Sequence, residues 1–268
     1  MRSAFGDVPG NSDRLADHVR AAAEAGARVI VAPECVIPGY AGDDLRDVWR
    51  APGRRLHPWF RGHDVRAVAE TVPGPTTDRF GRLAEQCGAY LLVGLIERAG
   101  VGGNEASEVG KAERFHNAAV LLSPAGQIVG HHRKRWPWPA VEPAWATPGD
   151  LPPVACDTPF GRVGVAICYD IHRVKRLYRP GELWTLLFPA AWVDVEPPAA
   201  HFDRRFPAVA RVLGCHVAFA NRRVGPGGPW FGSGESTVYR AGGGVAARSA
   251  ERFEDALVVA DLPAAVRP

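Results

Sequence analysis

The sequence predicts an α/β protein in which a mixed β-sheet carries helices on one or both faces. Apolar side chains recur at helical spacing over residues 12–25 and 76–89, and glycines close both segments. Each segment is followed by an apolar run of strand length, RVIVAP and YLLVGLIE. Such runs are typical of strands that are covered on both faces. Helix-strand alternation, mixed with hairpins, therefore indicates α/β layering.

Two hairpins are expected in the middle of the chain. FHNAAVLLSP and QIVGHHRK are separated by Ala125 and Gly126, and PPVACDTPFGRVGVAIC is expected to turn at residues 158–161. WTLLFPAAW then predicts a strand, residues 199–214 a helix despite Pro207, and HVAFANRRV another strand. We expect the last strands in GSGESTVYRAGG and ALVVADL.

Length and composition indicate a single globular domain over residues 1–268. The 32 Lys and Arg residues nearly balance the 29 Asp and Glu residues, so the net charge of +3 argues against a nucleic-acid partner. The apolar runs are shorter than the ~20 residues that cross a bilayer, so no membrane association is expected. No secretory signal is visible, and five cysteines without a CxxC pair fit reduced thiols in the cytoplasm.

Cys168 is the candidate nucleophile among these cysteines. It follows the apolar run VGVAI and precedes a helix-compatible stretch, so we expect a sharp turn from strand to helix. A turn of this kind exposes the side chain and directs backbone N–H groups, here that of Tyr169, toward an oxyanion. Most isolated free cysteines are instead small buried apolar residues, which is our reading of Cys87, Cys156 and Cys215.

Glu34 and Lys134 also end apolar strands, and this shared position changes how Cys168 is interpreted. Alone, Glu34 is best read as a carboxylate bound to loop amides, and Lys134 as part of a solvated basic patch. Strand ends of one sheet converge on one edge, however. There a carboxylate can accept the thiol proton and an ammonium group can stabilise negative charge on the attacked oxygen.

The sequence resembles the nitrilase superfamily of carbon-nitrogen hydrolases. The resemblance rests on VIVAPECVIPGY, HNAAVLLSPAGQIVGHHRK, FGRVGVAICYDI and LLFPAAW, and extends from about residue 6 to residue 262. It implies that Glu34 is the general base, Lys134 the oxyanion-stabilising lysine and Cys168 the nucleophile. It further implies that Glu142 helps to position substrate. RKRWPWPAVEPAWATPG is similar to aliphatic amidases, and LLFPAAWVDVEP to the biotinidase and pantetheinase branch.

The resemblance also sets expectations for architecture and assembly. It implies a four-layer αββα sandwich, no metal or organic cofactor, a covalent thioester or thioimidate intermediate, and a homodimer or larger homo-oligomer. Family members usually begin with an interior strand ahead of the segment seen here as RSAFGDVPGNSDRL, and we expect that strand to be missing from residues 1–268.

Two further departures concern the substrate. After Ile171 the chain reads HRVKRLYRPGELW in place of the usual Pro-Glu pair. His172, Arg173 and Lys175 are candidates for attracting a substrate carboxylate, although a solvated helix face is the favoured reading. The chain also lacks the long carboxy-terminal extension of spiral-forming nitrilases.

We therefore expect hydrolysis of a small linear amide or N-carbamoyl compound to an acid and ammonia or an amine. A nitrilase converting a nitrile to an acid is the main alternative, and a cysteine hydrolase with a histidine base is weaker because no papain-like signature is present. From another class, a catalytically silent binding or scaffold subunit remains open.

Overall fold

The computed structural model describes residues 1–41, 64–100, 113–139, 141–192, 199–223, 234–249 and 255–265. Helices are α1 (Val8–Glu24), α2 (Pro75–Cys87) and α3 (Ala199–Leu213), with 3₁₀ helices at Val65–Ala67, Glu142–Ala144 and Cys168–Arg176. Strands are β1 (Val29–Val31), β2 (Tyr90–Ala99), β3 (Arg114–Leu122), β4 (Ile128–Arg133), β5 (Ala155–Thr158), β6 (Gly161–Val165), β7 (Thr185–Ala190), β8 (His216–Asn221), β9 (Thr237–Tyr239) and β10 (Val245–Arg248).

The strands form two sheets. The first has the order β1-β2-β3-β4 and the second the order β10-β9-β8-β7-β6-β5. β1 pairs with β2, β6 with β7, and β7 with β8 in parallel, whereas the two predicted hairpins, β3-β4 and β5-β6, are antiparallel. Both sheets are thus mixed, as sequence analysis predicted.

Three apolar clusters define four layers. Leu15 and Val19 of α1 and Phe80 of α2 pack on one face of the first sheet. The second sheet is covered on its outer face by the 3₁₀ helix Cys168–Arg176 and by α3, which contributes Phe206. Between the sheets, residues from β2, β3, β6 and β7 interlock: Leu92, Ala119, Leu121, Val163, Val165 and Leu187. The predicted αββα sandwich is confirmed.

One sequence-based assignment near the carboxyl end was wrong, and one strand was missed. ALVVADL was expected to be a strand, yet residues 256–262 belong to none of the sheets, although their exposure alternates as in a strand. The strand that pairs with β9 is instead β10, whose VAAR sequence is only weakly apolar. The formation of a short antiparallel strand after a tight turn depends more on hydrogen bonds to the backbone of the neighbouring strand than on its own side chains.

The described parts of the chain contain no helix long and apolar enough to cross a membrane.

Candidate active site

Glu34 lies in the turn that follows β1, buried to 1% exposure. β2 makes room for this turn at Gly94. A Cβ atom there would lie 2.7 Å from the backbone nitrogen of Cys35 and from the carbonyl oxygen of Pro33. Oε2 of Glu34 accepts a 2.6 Å hydrogen bond from the backbone amide of Ala191. Ala191 directly follows β7, a strand of the second sheet. Glu34 therefore joins the two sheets at one edge.

Lys134 follows β4, and its ammonium group is held between two carboxylates. Nζ donates to Oε1 of Glu34 at 2.7 Å and to Oε1 of Glu142 at 2.6 Å, with the lysine only 1% exposed. Burial alone lowers the pKa of Lys134, but Glu142 and Glu34 outweigh it, so the pKa lies well above its usual value. The two carboxylates therefore favour the charged form of Lys134.

Cys168 occupies the predicted turn from strand to helix. β6 ends at Val165, the 3₁₀ helix begins at Cys168, and the cysteine backbone has a φ of +45°. A positive φ is uncommon for any residue other than glycine, and such strain is concentrated at functional positions. The elbow thus supports the interpretation of Cys168 as a presented side chain.

The environment of the Cys168 thiol favours its protonated form. Burial raises its pKa well above the usual value, and the charge of Glu34 raises it further, while Lys134 and a hydrogen bond from the Ala191 backbone oppose the shift. A thiol with a raised pKa is a poor nucleophile unless a base removes its proton during attack. The Glu34 carboxylate, whose charge acts on this thiol, is suited to serve as that base.

Asp170 ties the Cys168 elbow to the strand that carries Lys134. Its Oδ2 accepts from the Ile167 amide at 3.0 Å and contacts Nε2 of His132 at 2.9 Å. Its Oδ1 accepts from the Trp136 amide at 2.9 Å. Because Ile167 precedes Cys168 and Trp136 follows Lys134 by two residues, this fully buried carboxylate fixes the two segments relative to each other.

Glu142 lies at the start of a 3₁₀ helix and has no exposed surface. In addition to Lys134, its Oε1 accepts from Nδ2 of Asn117 at 2.9 Å and from the Tyr40 hydroxyl at 3.0 Å, and Oε2 accepts from the Trp138 amide. Burial raises the pKa of Glu142, and the charge of Glu34 adds to that effect, while Lys134 opposes it. Protein groups engage both of its oxygens, so the geometry favours positioning of Lys134. The predicted contact with substrate stays a prediction.

Asn117 is a central member of this cluster that sequence analysis missed. Its Nδ2 donates to Glu34 Oε1 at 2.7 Å as well as to Glu142, its Oδ1 accepts from the Cys35 thiol at 3.4 Å, and its carbonyl accepts from the Lys134 amide at 2.8 Å. The available signal was an amide side chain inside the apolar strand sequence FHNAAVLL. A buried polar residue in a core strand requires partners.

Replacing Asn117 by leucine is expected to lower kcat by about 10- to 100-fold with a much smaller change in KM, since orienting partners of functional groups have effects of this size. The cause is loss of one of the two donors that bridge both carboxylates, the other being Lys134 Nζ. Steady-state kinetics on an amide substrate give both constants. Ser123→Ala, which removes a hydroxyl just beyond the same strand, should leave kcat unchanged; equal losses in the two variants would contradict a positioning role.

The predicted oxyanion donor Tyr169 directly follows Cys168 in the 3₁₀ helix. Its ring lies 4.5 Å from that of His172, which stacks 6.2 Å from Trp192. The role of the Tyr169 amide stays a prediction.

His172, Arg173 and Lys175 are exposed, whereas Ile171 and Val174 are buried, which is the pattern of a solvated helix face.

Among the described residues, no group of three or more His, Cys, Asp or Glu side chains is arranged to hold a metal ion.

The fold presents a cysteine at a strand-to-helix elbow beside a buried carboxylate and a buried lysine, an arrangement suited to a cysteine hydrolase. A family model described as carbon-nitrogen hydrolase matches residues 1–268. The chain belongs to the carbon-nitrogen hydrolase family.

Known relatives cover almost the whole chain. The omega-amidase NIT2-B of Xenopus laevis is 26% identical over 262 residues, which are 94% of this chain and 82% of that protein. The human omega-amidase NIT2 has the same identity over 264 residues, with the same shares covered. The crystal structure of an amidase from Nesterenkonia sp. superposes with a TM-score of 0.73 at 22% identity, and covers 98% of this chain and 88% of that one. The last comparison establishes the fold.

Proposed function

We propose that this protein hydrolyses a small linear amide or N-carbamoyl compound to an acid and ammonia or an amine, through a thioester on Cys168. The observation that carries the proposal is the convergence of Glu34 and Lys134, joined by a 2.7 Å contact, on the environment of the Cys168 thiol. Omega-amidases among the relatives support amide substrates. So does a Nesterenkonia amidase variant, with glutamine in place of a glutamate, that carries a covalent acetamide moiety on its active-site cysteine.

In the first step, the Cys168 sulfur bonds to the carbonyl carbon of the substrate while Glu34 accepts the thiol proton. The carbonyl oxygen becomes an oxyanion. Lys134 has three N–H donors, of which two are directed at Glu34 and Glu142 in the described contacts, so the third is available to this oxygen. The Tyr169 amide is the second proposed donor, since backbone N–H groups at such an elbow stabilise developing charge.

In the second step, the carbon-nitrogen bond breaks and the leaving nitrogen takes the proton that Glu34 had accepted. Ammonia or an amine departs and the thioester remains. Water then attacks the thioester carbon while Glu34 accepts a proton from it, the carbon-sulfur bond breaks, and the sulfur recovers a proton. The carboxylic acid is released and the enzyme returns to its starting state. One carboxylate therefore acts as base twice and as acid twice.

Paired measurements separate amide from nitrile hydrolysis. Ammonia release is followed from an amide and from the nitrile with the same carbon skeleton, across a panel that also includes carbamoyl amino acids and ureido compounds. We expect the amide or carbamoyl member to react and the matched nitrile to remain intact. Faster turnover of the nitrile would replace the proposal by a nitrilase. No turnover and no adduct on Cys168 would favour a silent binding or scaffold subunit.

We further propose that the protein acts in the cytoplasm as a homodimer or larger homo-oligomer. The resemblance to the superfamily supports the assembly, and five free cysteines support a reducing compartment. Light scattering of the purified protein tests the assembly. We expect a mass of at least two chains, and a monomeric mass at micromolar concentration would contradict the proposed oligomer.

A further inference from the structure

A groove of about 710 Å³ lies on the outer side of the second sheet, between the 3₁₀ helix Cys168–Arg176 and α3. The described residues that line it all come from these two segments. Arg205 donates to Nδ1 of His172, and Gly181 donates to the carbonyl of Leu213, so the two walls run side by side in the same direction. Small-molecule sites have volumes of roughly 300–1,000 Å³. The groove is therefore large enough for a ligand of that class.

Positive charge is concentrated in this groove. Five cationic side chains line it, three from the 3₁₀ helix and two from α3: Arg173, Lys175, Arg176, Arg204 and Arg205. Within the described parts of the chain, none of the five forms an ion pair with a carboxylate. The two acidic residues on the same segments are engaged elsewhere. Asp170 is bonded to His132, and Asp203 pairs with Arg248. Cations that are held together without a counter-charge create a positive potential that attracts anions.

The kind of cation and its setting indicate the kind of anion. Four of the five are arginines, whose planar guanidinium groups bond phosphate and carboxylate oxygens through paired donors. A ligand with one negative charge would leave most of the five unpaired, whereas linked phosphate groups carry several charges in a short span. Arg173 lies 5.7 Å over the Trp136 ring and Arg205 is bonded to His172, which restricts both guanidinium groups before a ligand binds.

The groove also has an apolar strip, formed by Ala208, Val209 and Val212 of α3. Arg204, Ala208 and Val212 are spaced four residues apart, so they share one face of the helix. Val212 is 40% exposed, which is unusual for a branched apolar side chain on a helix that is otherwise packed against its sheet. An inorganic anion would gain nothing from this strip. A ligand with an apolar body would remove it from water, which is favourable.

We propose that this groove binds a small organic polyphosphate, with the phosphate groups against the five cations and the apolar body on the strip of Ala208, Val209 and Val212. A second copy of the chain is a poorer complement, since a two-fold contact across the groove would set the same cations against one another. The site is separate from the proposed amide hydrolysis, because Glu34 and Lys134 are not among the residues that line it.

Calorimetric titration of the full-length protein with three probes tests the proposal, in low-salt buffer without magnesium. The probes are ATP, inorganic triphosphate and adenosine. Triphosphate carries at least the charge of ATP but has no apolar body, and adenosine has the body without the charge. We expect ATP to bind one molecule per chain, at least about tenfold more tightly than triphosphate, and adenosine not to bind detectably. Burial of about 50–60 Å² of apolar surface accounts for such a tenfold gain.

Two variants place the ligand in the groove. The double substitution Arg204→Gln and Arg205→Gln should weaken ATP and triphosphate alike, by at least about tenfold, because it removes two phosphate partners. Its matched control is Arg20→Gln with Arg79→Gln, which removes the same net charge from exposed arginines of α1 and α2 and should leave both affinities unchanged. Val212→Asn should weaken ATP by at least about threefold and leave triphosphate unaffected, because it alters the apolar strip alone.

Three results would overturn the proposal. Absence of saturable ATP binding would show that the groove holds no such ligand. Equal affinities for ATP and triphosphate would reduce it to an adventitious anion patch. Equal losses in the two double variants would trace binding to net charge and not to the groove. Ammonia release is not a readout here, so failure of the proposed amide hydrolysis would leave all three measurements interpretable.

Discussion

A Glu34→Gln protein is expected to lose turnover by about 10²- to 10⁴-fold, the contribution of a positioned general base. The amide keeps the size of the carboxylate and can still accept from the Ala191 amide, so the fold should persist. What is lost is the ability to accept a proton from a thiol whose pKa is raised by burial and by Glu34 itself. Initial rates of ammonia release, together with the melting curve, separate the two effects.

Glu97→Gln is the matched control for this experiment. Glu97 is also a buried glutamate, 2% exposed, but it pairs with Arg133 at 2.6 Å and with His131 at 2.9 Å, outside the cluster around Lys134. We expect the control to lower Tm while kcat changes by less than about threefold, as for a residue that acts on stability alone. Near-normal turnover of Glu34→Gln would remove Glu34 from the mechanism.

A Lys134→Met protein is expected to lose turnover and about 3–5 kcal/mol of stability. Breaking a buried ion pair by removing one partner leaves an uncompensated charge. Here Glu34 and Glu142 would both remain buried, with their Oε1 atoms bonded in common to Asn117. One carboxyl group is then expected to take up a proton.

This uptake makes the loss of stability depend on pH. The pKa of Glu142 is already raised in the folded protein from its ordinary 4.5, by burial first and by the charge of Glu34 next, with Lys134 opposing. Removing Lys134 raises it further. A carboxyl whose folded pKa exceeds its unfolded pKa stabilises the protein while protonated, and that stability is lost as pH rises from 4.5 through the folded pKa.

Thermal unfolding of Lys134→Met should therefore show a smaller deficit relative to the wild type at pH 5 than at pH 8. Lys175→Met, which removes an exposed lysine, should match the wild type at both pH values. A pH-independent deficit would mean that the two carboxylates are not the source of the instability.

The three residues that sequence analysis placed at strand ends are brought to one edge of the two sheets. Each was singled out because it follows an apolar run, but the expectation that all three end strands of one sheet was wrong. Glu34 and Lys134 follow β1 and β4, the two outer strands of the first sheet, and Cys168 follows β6 of the second. Asn117 and Tyr40 were not singled out. Their contacts join residues 25 to 102 positions apart, which no local pattern encodes. The division of the strands into two sheets likewise follows from long-range packing between β2, β3, β6 and β7.

Strand assignment failed where side-chain patterns and backbone pairing disagree. ALVVADL has the composition of a strand but no sheet neighbour, whereas VAAR at β10 has a neighbour and little apolar character. Pro207, in contrast, was accommodated within α3 as predicted, because Phe202, Phe206, Ala210 and Leu213 form a continuous buried face. Packing of this face outweighs the loss of one backbone hydrogen bond.

Covalent attack by Cys168 on the substrate is tested most directly by mass spectrometry. The wild type is mixed with a small amide that it hydrolyses, the reaction is stopped with acid during turnover, and the protein is digested and mapped. We predict an acyl adduct on the peptide containing Cys168 and none on those containing Cys35, Cys87, Cys156 or Cys215. An adduct confined to another cysteine, or hydrolysis that persists in Cys168→Ala, would contradict the account.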